Sequence, residues 1–308
     1  MKPYLFLLIF SVLSISGHGQ AREVELSSEY SPNNELIIKA KKHVPGTYYL
    51  EIQFTNLENT TFSNYLFTYP LKSSDEIVLQ LKPSNPEVRP SAGYSYIYRR
   101  GNPKSKPDTA FVYRLPYSPH QERKVHSMHL IGGETHAQNQ HNVNWHAMQF
   151  VMQANDTIYA ARTGTVVEIK EMEPESNAAA QPAGHTTFRR NVNRITVEHE
   201  DETYANYSVV ENIQVSLGDK VFPMTPLGIA GTYDGENYQT RLMFYYYRIA
   251  PQKKNGQTTF EFHYFRPVFA TTAGEMPLTM NQNYFPLVST ELITKEMSKR
   301  EARRYQGK

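Results

Sequence analysis

The chain has 308 residues and a formal net charge of +2, with 32 lysine and arginine residues against 30 aspartate and glutamate residues. This near balance excludes the strong electrostatic attraction on which nonspecific nucleic-acid binding depends. The chain contains no cysteine, which excludes disulfides and thiolate metal sites, so the fold must be stable without covalent cross-links.

Residues 1–20 predict a signal peptide. The stretch MKPYLFLLIFSVLSISGHGQ combines Lys2, an apolar run over residues 4–13 and the small residues Gly17 and Gly19 before an expected cleavage site. Such a run is too short and wrongly flanked for a membrane-spanning helix. We therefore expect a periplasmic or secreted protein without stable membrane insertion.

Residues 21–115 predict an N-terminal β-sandwich within an all-β chain that has room for about two domains. TYYLEIQFTNLENTTF, at 47–62, alternates polar and apolar residues as a half-buried strand does, and residues 76–83 and 94–101 repeat the pattern. Short strands separated by turn signals are typical of an immunoglobulin-like sandwich. A proline-containing linker at 107–119 is expected to join this sandwich to a second β domain.

Six segments in the second part of the chain form an ordered series of motifs. They are VYRLPYSP (112–119), IGGETH (131–136), NDTIYAARTGTVVEIK (155–170), NRITVEHEDETYANYSVV (193–210), VSLGDKVFPMTPLGIAG (215–231) and TRLMFYYYRI (240–249). In this order they resemble the lysostaphin/LytM-type zinc endopeptidases, peptidoglycan hydrolases with a duplicated hybrid motif. The resemblance implies a β-sheet peptidase-like domain over residues 116–290, with a groove that holds zinc and a peptide in active members.

The resemblance also covers NWHAMQFVMQANDTIYAARTG (144–164), in which Gln149 stands where the family has a metal-binding aspartate. It places the three zinc ligands at His136, Gln149 and Met243. A catalytic zinc needs imidazole or carboxylate ligands and an open position for water. The amide oxygen of Gln149 and the thioether of Met243 are poor zinc ligands beside those groups. His136 keeps a suitable donor, although its spacing from Gln149 is longer than the usual family spacing, and His141 or His146 could take its place.

The two family histidines that orient water and stabilise the oxyanion fall, by the same resemblance, at Ser208 and Arg241. YSVV stands there in place of YxHL, and RLM in place of HLH. Because only His136 keeps its chemistry, we expect no resident cofactor. We also expect Gln149, Ser208 and Arg241 to lie within a few ångströms of one another, linked by hydrogen bonds rather than by metal.

Other histidines offer alternative metal sites. A group of five lies in a short stretch: His126, His129, His136, His141 and His146. Their spacings do not match a helical zinc motif, which favours loop histidines over a metal site. His199 matches a non-ligand histidine of the family pattern, and its acidic neighbours predict a solvated strand end.

Three further segments are expected to lie at the periphery of the fold or to form a single local element. EMEPESNAAAQPAGHTTFRR (171–190) has no regular period and predicts a mobile hairpin insertion. FEFHYFRPVFATTAGE (260–275) predicts one long strand and a turn. Residues 291–308, which end in KEMSKREARRYQGK, predict a solvated tail or a short helix.

Two functional hypotheses follow from the resemblance. In the first, a catalytically inactive LytM-type domain binds a peptide, peptidoglycan or another envelope protein. In the second, the protein is an active zinc-dependent peptidoglycan metalloendopeptidase that recruits ligands from the histidine group, and zinc is then its cofactor. A purely structural envelope protein is a third possibility that the sequence does not separate from the first.

Overall fold

The computed structural model describes residues 23–127, 147–171, 192–232, 235–251 and 258–306. Over these residues the protein is mostly β-sheet, as predicted, with two short helices near the C-terminus. The predicted signal peptide and most of the predicted insertion lie outside the described residues. So do four of the five histidines in the group at 126–146: His129, His136, His141 and His146. None of the helices in the described ranges is long and apolar enough to cross a membrane.

The first unit is a sandwich of two three-stranded antiparallel sheets, β1-β2-β5 and β4-β3-β6. Its strands are β1 (Val24–Tyr30), β2 (Leu36–Lys42), β3 (Tyr48–Glu58), β4 (Leu66–Leu71), β5 (Asp75–Leu81) and β6 (Ser91–Arg100). In β3, Leu50, Ile52 and Phe54 are buried, whereas Gln53 and Thr55 between and after them are exposed. Side chains of both sheets meet in one hydrophobic core, which confirms the predicted strands. The immunoglobulin-like assignment stays a prediction.

The second unit is larger and contains five of the six motif segments, whereas IGGETH (131–136) lies outside the described residues. Its strands are β7 (Val112–Arg114), β8 (Arg123–Ser127), β9 (Ala147–Val151), β10 (Thr157–Tyr159), β11 (Gly164–Lys170), β12 (Arg194–Glu198), β13 (Tyr204–Ser208), β14 (Val210–Glu211), β15 (Lys220–Val221), β16 (Pro226–Ala230), β17 (Gln239–Ile249), β18 (Phe260–Tyr264), β19 (Val268–Thr271), β20 (Gly274–Met276) and β21 (Asn283–Tyr284). The large sheet has the order β15-β11-β12-β13-β17-β9-β8-β21, and β18 pairs with the end of β17. Two smaller sheets, β10-β16-β14 and β20-β19-β7, contribute to the same core.

The large sheet buries one face and leaves the other partly exposed. Leu242 and Phe244 of β17 are fully buried, and so are Ala205 and Tyr207 of the neighbouring β13. Arg241 immediately precedes Leu242 and therefore points to the opposite face, because side chains alternate along a strand. The face that carries Arg241 is called the open face below.

The change from the first core to the second occurs before residue 115. Phe111, Tyr113 and Tyr117 pack in the second core, and β7 runs parallel to β19. Residues 111–115, assigned by sequence to the first domain, thus pack with the second unit. The proline-containing segment that follows is part of this core rather than a free linker.

The predicted long strand at 260–275 is divided between strands of two different sheets. β18 pairs with β17, whereas β19 pairs with β7 and β20. Pro267 lies between β18 and β19 and lacks the N–H that a continuous ladder needs, which explains the break.

The C-terminal segment contains the helices α1 (Thr290–Thr294) and α2 (Lys299–Gln306). Ser289 caps α1, because its Oγ accepts the Leu292 N–H at 3.1 Å. Glu296, between the helices, accepts a hydrogen bond from Arg162 at 2.7 Å. The helix alternative for this segment is therefore confirmed, and the segment is tied to the second unit.

The two units meet where the first unit covers β11 and the β12–β13 hairpin. Thr47 donates its backbone N–H to Glu198 Oε2 at 2.8 Å. Arg100 donates from Nη1 to the Val167 carbonyl at 2.9 Å. Backbone and side-chain hydrogen bonds therefore both hold the units together.

The strand end predicted to be solvated is buried at Glu198 and His199, so the prediction is wrong there, whereas the next residue, Glu200, is exposed. His199 is 2% exposed and Glu198 is 8% exposed. His199 Nδ1 lies 2.9 Å from the Thr163 carbonyl, to which it donates, and the Tyr113 ring is 5.8 Å away. This strand end is covered by Thr47 and Tyr113, which are distant in the sequence. The neighbouring acidic residues therefore do not indicate its burial.

Candidate functional site

The open face brings together three of the positions assigned from the motifs. Gln149 of β9 is opposite Arg241 of β17, which is opposite Ser208 of β13. Register partners on neighbouring antiparallel strands point to the same side, with Cβ atoms about 4.5–5.5 Å apart. The three residues therefore share one face, as predicted, and Gln149 and Ser208 each lie next to Arg241. Gln149 and Ser208 are two strands apart, about 10 Å, which is farther than predicted.

This row of side chains continues to both sides. His126 of β8 is opposite Gln149, and Arg194 of β12 is opposite Ser208. The row thus crosses five neighbouring strands, from the imidazole of His126 on β8 to the guanidinium of Arg194 on β12. Arg194 was missed by sequence reasoning, because only the strand pairing shows that it lies beside Ser208.

A second row forms the floor of the open face. Met243 is opposite Ala147 on one side and Asn206 on the other, and Asn206 is opposite Thr196. Ala147, Asn206 and Thr196 are 5%, 8% and 2% exposed, respectively, while Met243 is half-buried. The small and polar neighbours leave the thioether as the main apolar group in the middle of this face.

Polar side chains of the two rows are joined by hydrogen bonds. Ser208 Oγ donates to Asn206 Oδ1 at 2.8 Å, and Asn206 Nδ2 donates to Thr196 Oγ1 at 3.0 Å. Thr196 Oγ1 donates to Glu168 Oε2 at 3.2 Å. The Ser208 hydroxyl therefore contacts an amide, and no hydrogen bond to a general base of the kind that a serine nucleophile needs is seen for it among the described residues.

The hydrogen bond seen for Arg241 runs along its own strand. Arg241 Nε donates to Gln239 Oε1 at 3.3 Å, and Ser208 bonds along β13 as described. The direct links predicted among Gln149, Ser208 and Arg241 stay a prediction, although all three side chains share the face.

The YxHL motif needs a correction by one position. Aligned letter by letter on YSVV, its histidine falls on Val209 rather than on Ser208. Val209 is 4% exposed and has a φ of 62°, a left-handed conformation that β-branched residues rarely adopt. Neither residue supplies an imidazole, and Ser208 is the one whose side chain lies on the open face.

The side chains at the motif positions that the structure describes on the open face do not fit a catalytic zinc. Gln149 offers an amide, Met243 a thioether, and Arg241 a permanent positive charge that repels a cation. Among the residues that the structure describes, no group of three or more His, Cys, Asp or Glu side chains could hold a metal ion. The predicted first ligand, His136, and its alternatives lie in 128–146, outside this part.

The far end of β17 carries aromatic rings on the same face. Tyr245 stacks on Tyr204 at a centroid distance of 5.3 Å and meets Phe262 edge-on at 4.9 Å. Phe262 is 50% exposed. Burial raises the pKa of Tyr245 well above its ordinary value, so the phenol stays protonated and does not act as a base. The open face thus has a polar end and an aromatic end.

A cavity of about 670 Å³ lies between the two units, away from the motif positions. Most of its charged groups are already paired. Lys42 Nζ donates to the Lys72 carbonyl at 2.6 Å, and Lys72 Nζ lies 2.7 Å from Glu202. Burial lowers the pKa of Lys42 and raises that of Glu198. This cavity belongs to the junction of the units.

Comparisons with known proteins assign no family to the chain. No protein-family model matches it, and no curated protein sequence matches it. Among solved structures it is similar to a zinc-containing peptidase from Vibrio cholerae, with 10% identity, a TM-score of 0.25, and coverage of 72% of this chain and 81% of that chain. It is also similar to Csd3 from Helicobacter pylori, with 9% identity, a TM-score of 0.29, and coverage of 92% and 82%, respectively. At these TM-scores neither likeness establishes a shared fold or activity.

Proposed function

We propose that the second unit is a catalytically inactive LytM-type peptidase-like domain that binds a peptide, from peptidoglycan or from another envelope protein, on its open face. The observation that carries this proposal is the pairing of Gln149 with Arg241, with Met243 two residues along on the same face. The motifs that assigned these positions lie in segments far apart in sequence. A one-residue error in the motif alignment of either segment would have placed the assigned position on the buried face of the sheet.

The chemistry at these positions supports binding without hydrolysis. An amide, a thioether and a guanidinium cannot replace the imidazole and carboxylate ligands that activate water on zinc. Arg241 also places a permanent positive charge where a hydrolytic member of the family would hold a cation.

The surface itself has the features of a binding site for an extended chain. Half-buried polar side chains at one end, Gln149, Ser208 and Arg241, offer donors and acceptors, while the exposed ring of Phe262 offers apolar contact at the other. The predicted signal peptide would deliver the protein to the envelope, where peptidoglycan peptides and other envelope proteins are the available ligands.

Co-sedimentation with purified peptidoglycan tests the proposal. We expect the protein to sediment with peptidoglycan and to release no peptide fragments from it, with or without added zinc. Met243→Arg, which introduces a long charged side chain on the floor of the open face, should weaken binding. Leu217→Arg, at a residue that is 49% exposed in a turn elsewhere on this unit, is the matched control and should not. Zinc-dependent release of fragments would instead support the active peptidase, and absence of binding would contradict a peptidoglycan ligand.

A further inference from the structure

We infer that the open face recognises the carboxylate side chains of an acidic peptide, through Arg194 and Arg241 on either side of Ser208. This inference rests on the proposed function and names the class of ligand for the same face.

The geometry places two guanidinium groups on one side of the sheet. Arg194 and Arg241 are the two register partners of Ser208, from β12 and β17. With a strand spacing of about 4.8 Å, the two arginine backbones lie about 10 Å apart. Alternate side chains of an extended peptide are about 7 Å apart on one side. Because arginine side chains are long, acidic residues two positions apart can reach both guanidinium groups.

Arg194 keeps hydrogen-bond donors for a ligand. Its Nε is buried and has no hydrogen-bond partner among the described residues. The Glu168 carboxylate approaches it only to 3.6 Å, which is too far for a hydrogen bond. The side chain as a whole is 37% exposed, so a ligand can reach the guanidinium. A carboxylate is the group that its planar fork of donors fits best.

Charge complementarity on this face favours an anion. Lys170 of β11 is the register partner of Arg194, so Lys170, Arg194 and Arg241 share this face with the carboxylate of Glu168. The second carboxylate of β12 on this face, Glu198, is buried and accepts the Thr47 N–H. The positive charge of Arg241 attracts an anion to this face regardless of which neighbours its other hydrogen-bond donors contact. Ser208 lies between the two arginines, and its hydroxyl can turn from Asn206 to a ligand oxygen.

Glu168 competes with a carboxylate of the ligand for the guanidinium of Arg194. It already accepts a hydrogen bond from Thr196 and attracts Arg194 weakly across 3.6 Å. Removing its charge should therefore free Arg194 and strengthen the binding of an external carboxylate. A purely structural role for Arg194 would not produce such a gain.

Fluorescence anisotropy of the full-length protein with three labelled peptides tests the inference. The first peptide alternates glutamate and alanine and has both ends capped, the second replaces glutamate by glutamine, and the third is the glutamine peptide with a free C-terminal carboxylate. We expect the glutamate peptide to bind about tenfold more tightly than the capped glutamine peptide at low salt, with a smaller difference at high salt. Arg194→Gln should remove about this tenfold difference, and Glu168→Gln should increase the affinity. Arg300→Gln, an exposed arginine of α2, is the matched control and should change neither.

Each other outcome has a defined meaning. Equal binding of the two capped peptides would overturn the inference but leave peptide binding, and thus the proposed function, intact. Binding of neither peptide would contradict both. Preference for the free C-terminus alone would overturn recognition of side chains. If Arg194→Gln lowers the melting temperature, the Glu168→Gln variant decides, because a gain in affinity cannot come from unfolding.

Discussion

Gln149 and Arg241 are opposite each other on β9 and β17, at positions where the motif resemblance implies a zinc ligand and a catalytic histidine. A neutral amide next to a guanidinium offers a cation no charged ligand and adds a repelling charge. The same pair, with Ser208 on the next strand, offers hydrogen-bond donors to an anionic or polar ligand. One pairing thus accounts for both parts of the proposed function, the loss of metal chemistry and the retained binding surface.

The same pairing predicts what would restore zinc. In the double variant Gln149→Asp/Met243→His, the introduced aspartate lies opposite Arg241 and should form an ion pair with it. We therefore expect weak zinc binding in the double variant and at least about tenfold tighter binding when Arg241→His is added, with His136 as the expected third ligand. Isothermal titration with zinc measures this. A natively folded triple variant without zinc affinity would show that the open face does not have the geometry of a peptidase site.

Arg162 should be among the most sensitive positions for stability. Its side chain is 3% exposed and binds Asp201 at 3.0 Å and Glu296 at 2.7 Å, and its guanidinium lies 3.7 Å from the centre of the Phe111 ring. Arg162→Ala leaves two carboxylates without their partner, so we expect a loss of about 3–5 kcal/mol in the free energy of unfolding. Urea denaturation measures it. Arg300→Ala on exposed α2 should change the free energy by less than about 0.5 kcal/mol. Equal effects of the two variants would contradict this assignment.

Gly101 should tolerate no side chain, because it lies at the end of the first unit and packs closely against the second unit. It has a φ of 88°, and a Cβ atom there would lie 2.0 Å from the Tyr247 ring. Gly218 has a φ of 93° but open space around it. Both alanine variants incur left-handed backbone strain of about 1–2 kcal/mol, and Gly101→Ala should lose about 1–3 kcal/mol more from overpacking. Similar melting temperatures of the two variants would contradict close packing of the units at this point.

The buried His199 should make stability depend on pH. Burial, with the nearby charge of Arg162, lowers the pKa of His199 to about 3. An unfolded histidine titrates near 6.5, so between about pH 6.5 and 3 the unfolded chain binds a proton that the native protein does not. The contribution of His199 to stability therefore falls as pH falls through this window, by up to about 1.4 kcal/mol per pH unit.

This dependence is measured as a difference between variants. Burial raises the pKa of Glu198, which acts in the opposite direction as pH falls. Burial alone would raise the pKa of Asp201, but Arg162 lowers it. The stability that Asp201 contributes is therefore lost as pH falls below the unfolded pKa of about 3.9, outside the range measured here. Urea denaturation of the wild type and of His199→Asn between pH 5 and 8 should thus give a flatter profile for the variant. Parallel profiles would contradict a neutral, buried His199.

Local patterns in the sequence predicted the strands but not what covers them. The alternation around Leu50 and Ile52 predicted β3, because the two-residue period is a property of the strand itself. The burial of His199 could not be predicted in this way, because Thr47 and Tyr113, which cover that region, come from distant segments. Arg194 was missed for a related reason, since its place beside Ser208 depends on the register of two strands.

Zinc titration of the full-length protein, after treatment with a chelator and dialysis, tests the central claim most directly. We expect no sub-micromolar binding of zinc and no zinc-dependent release of peptides from peptidoglycan. Binding of about one zinc per chain with sub-micromolar affinity, lost in His136→Ala and accompanied by peptide release, would contradict a catalytically inactive domain.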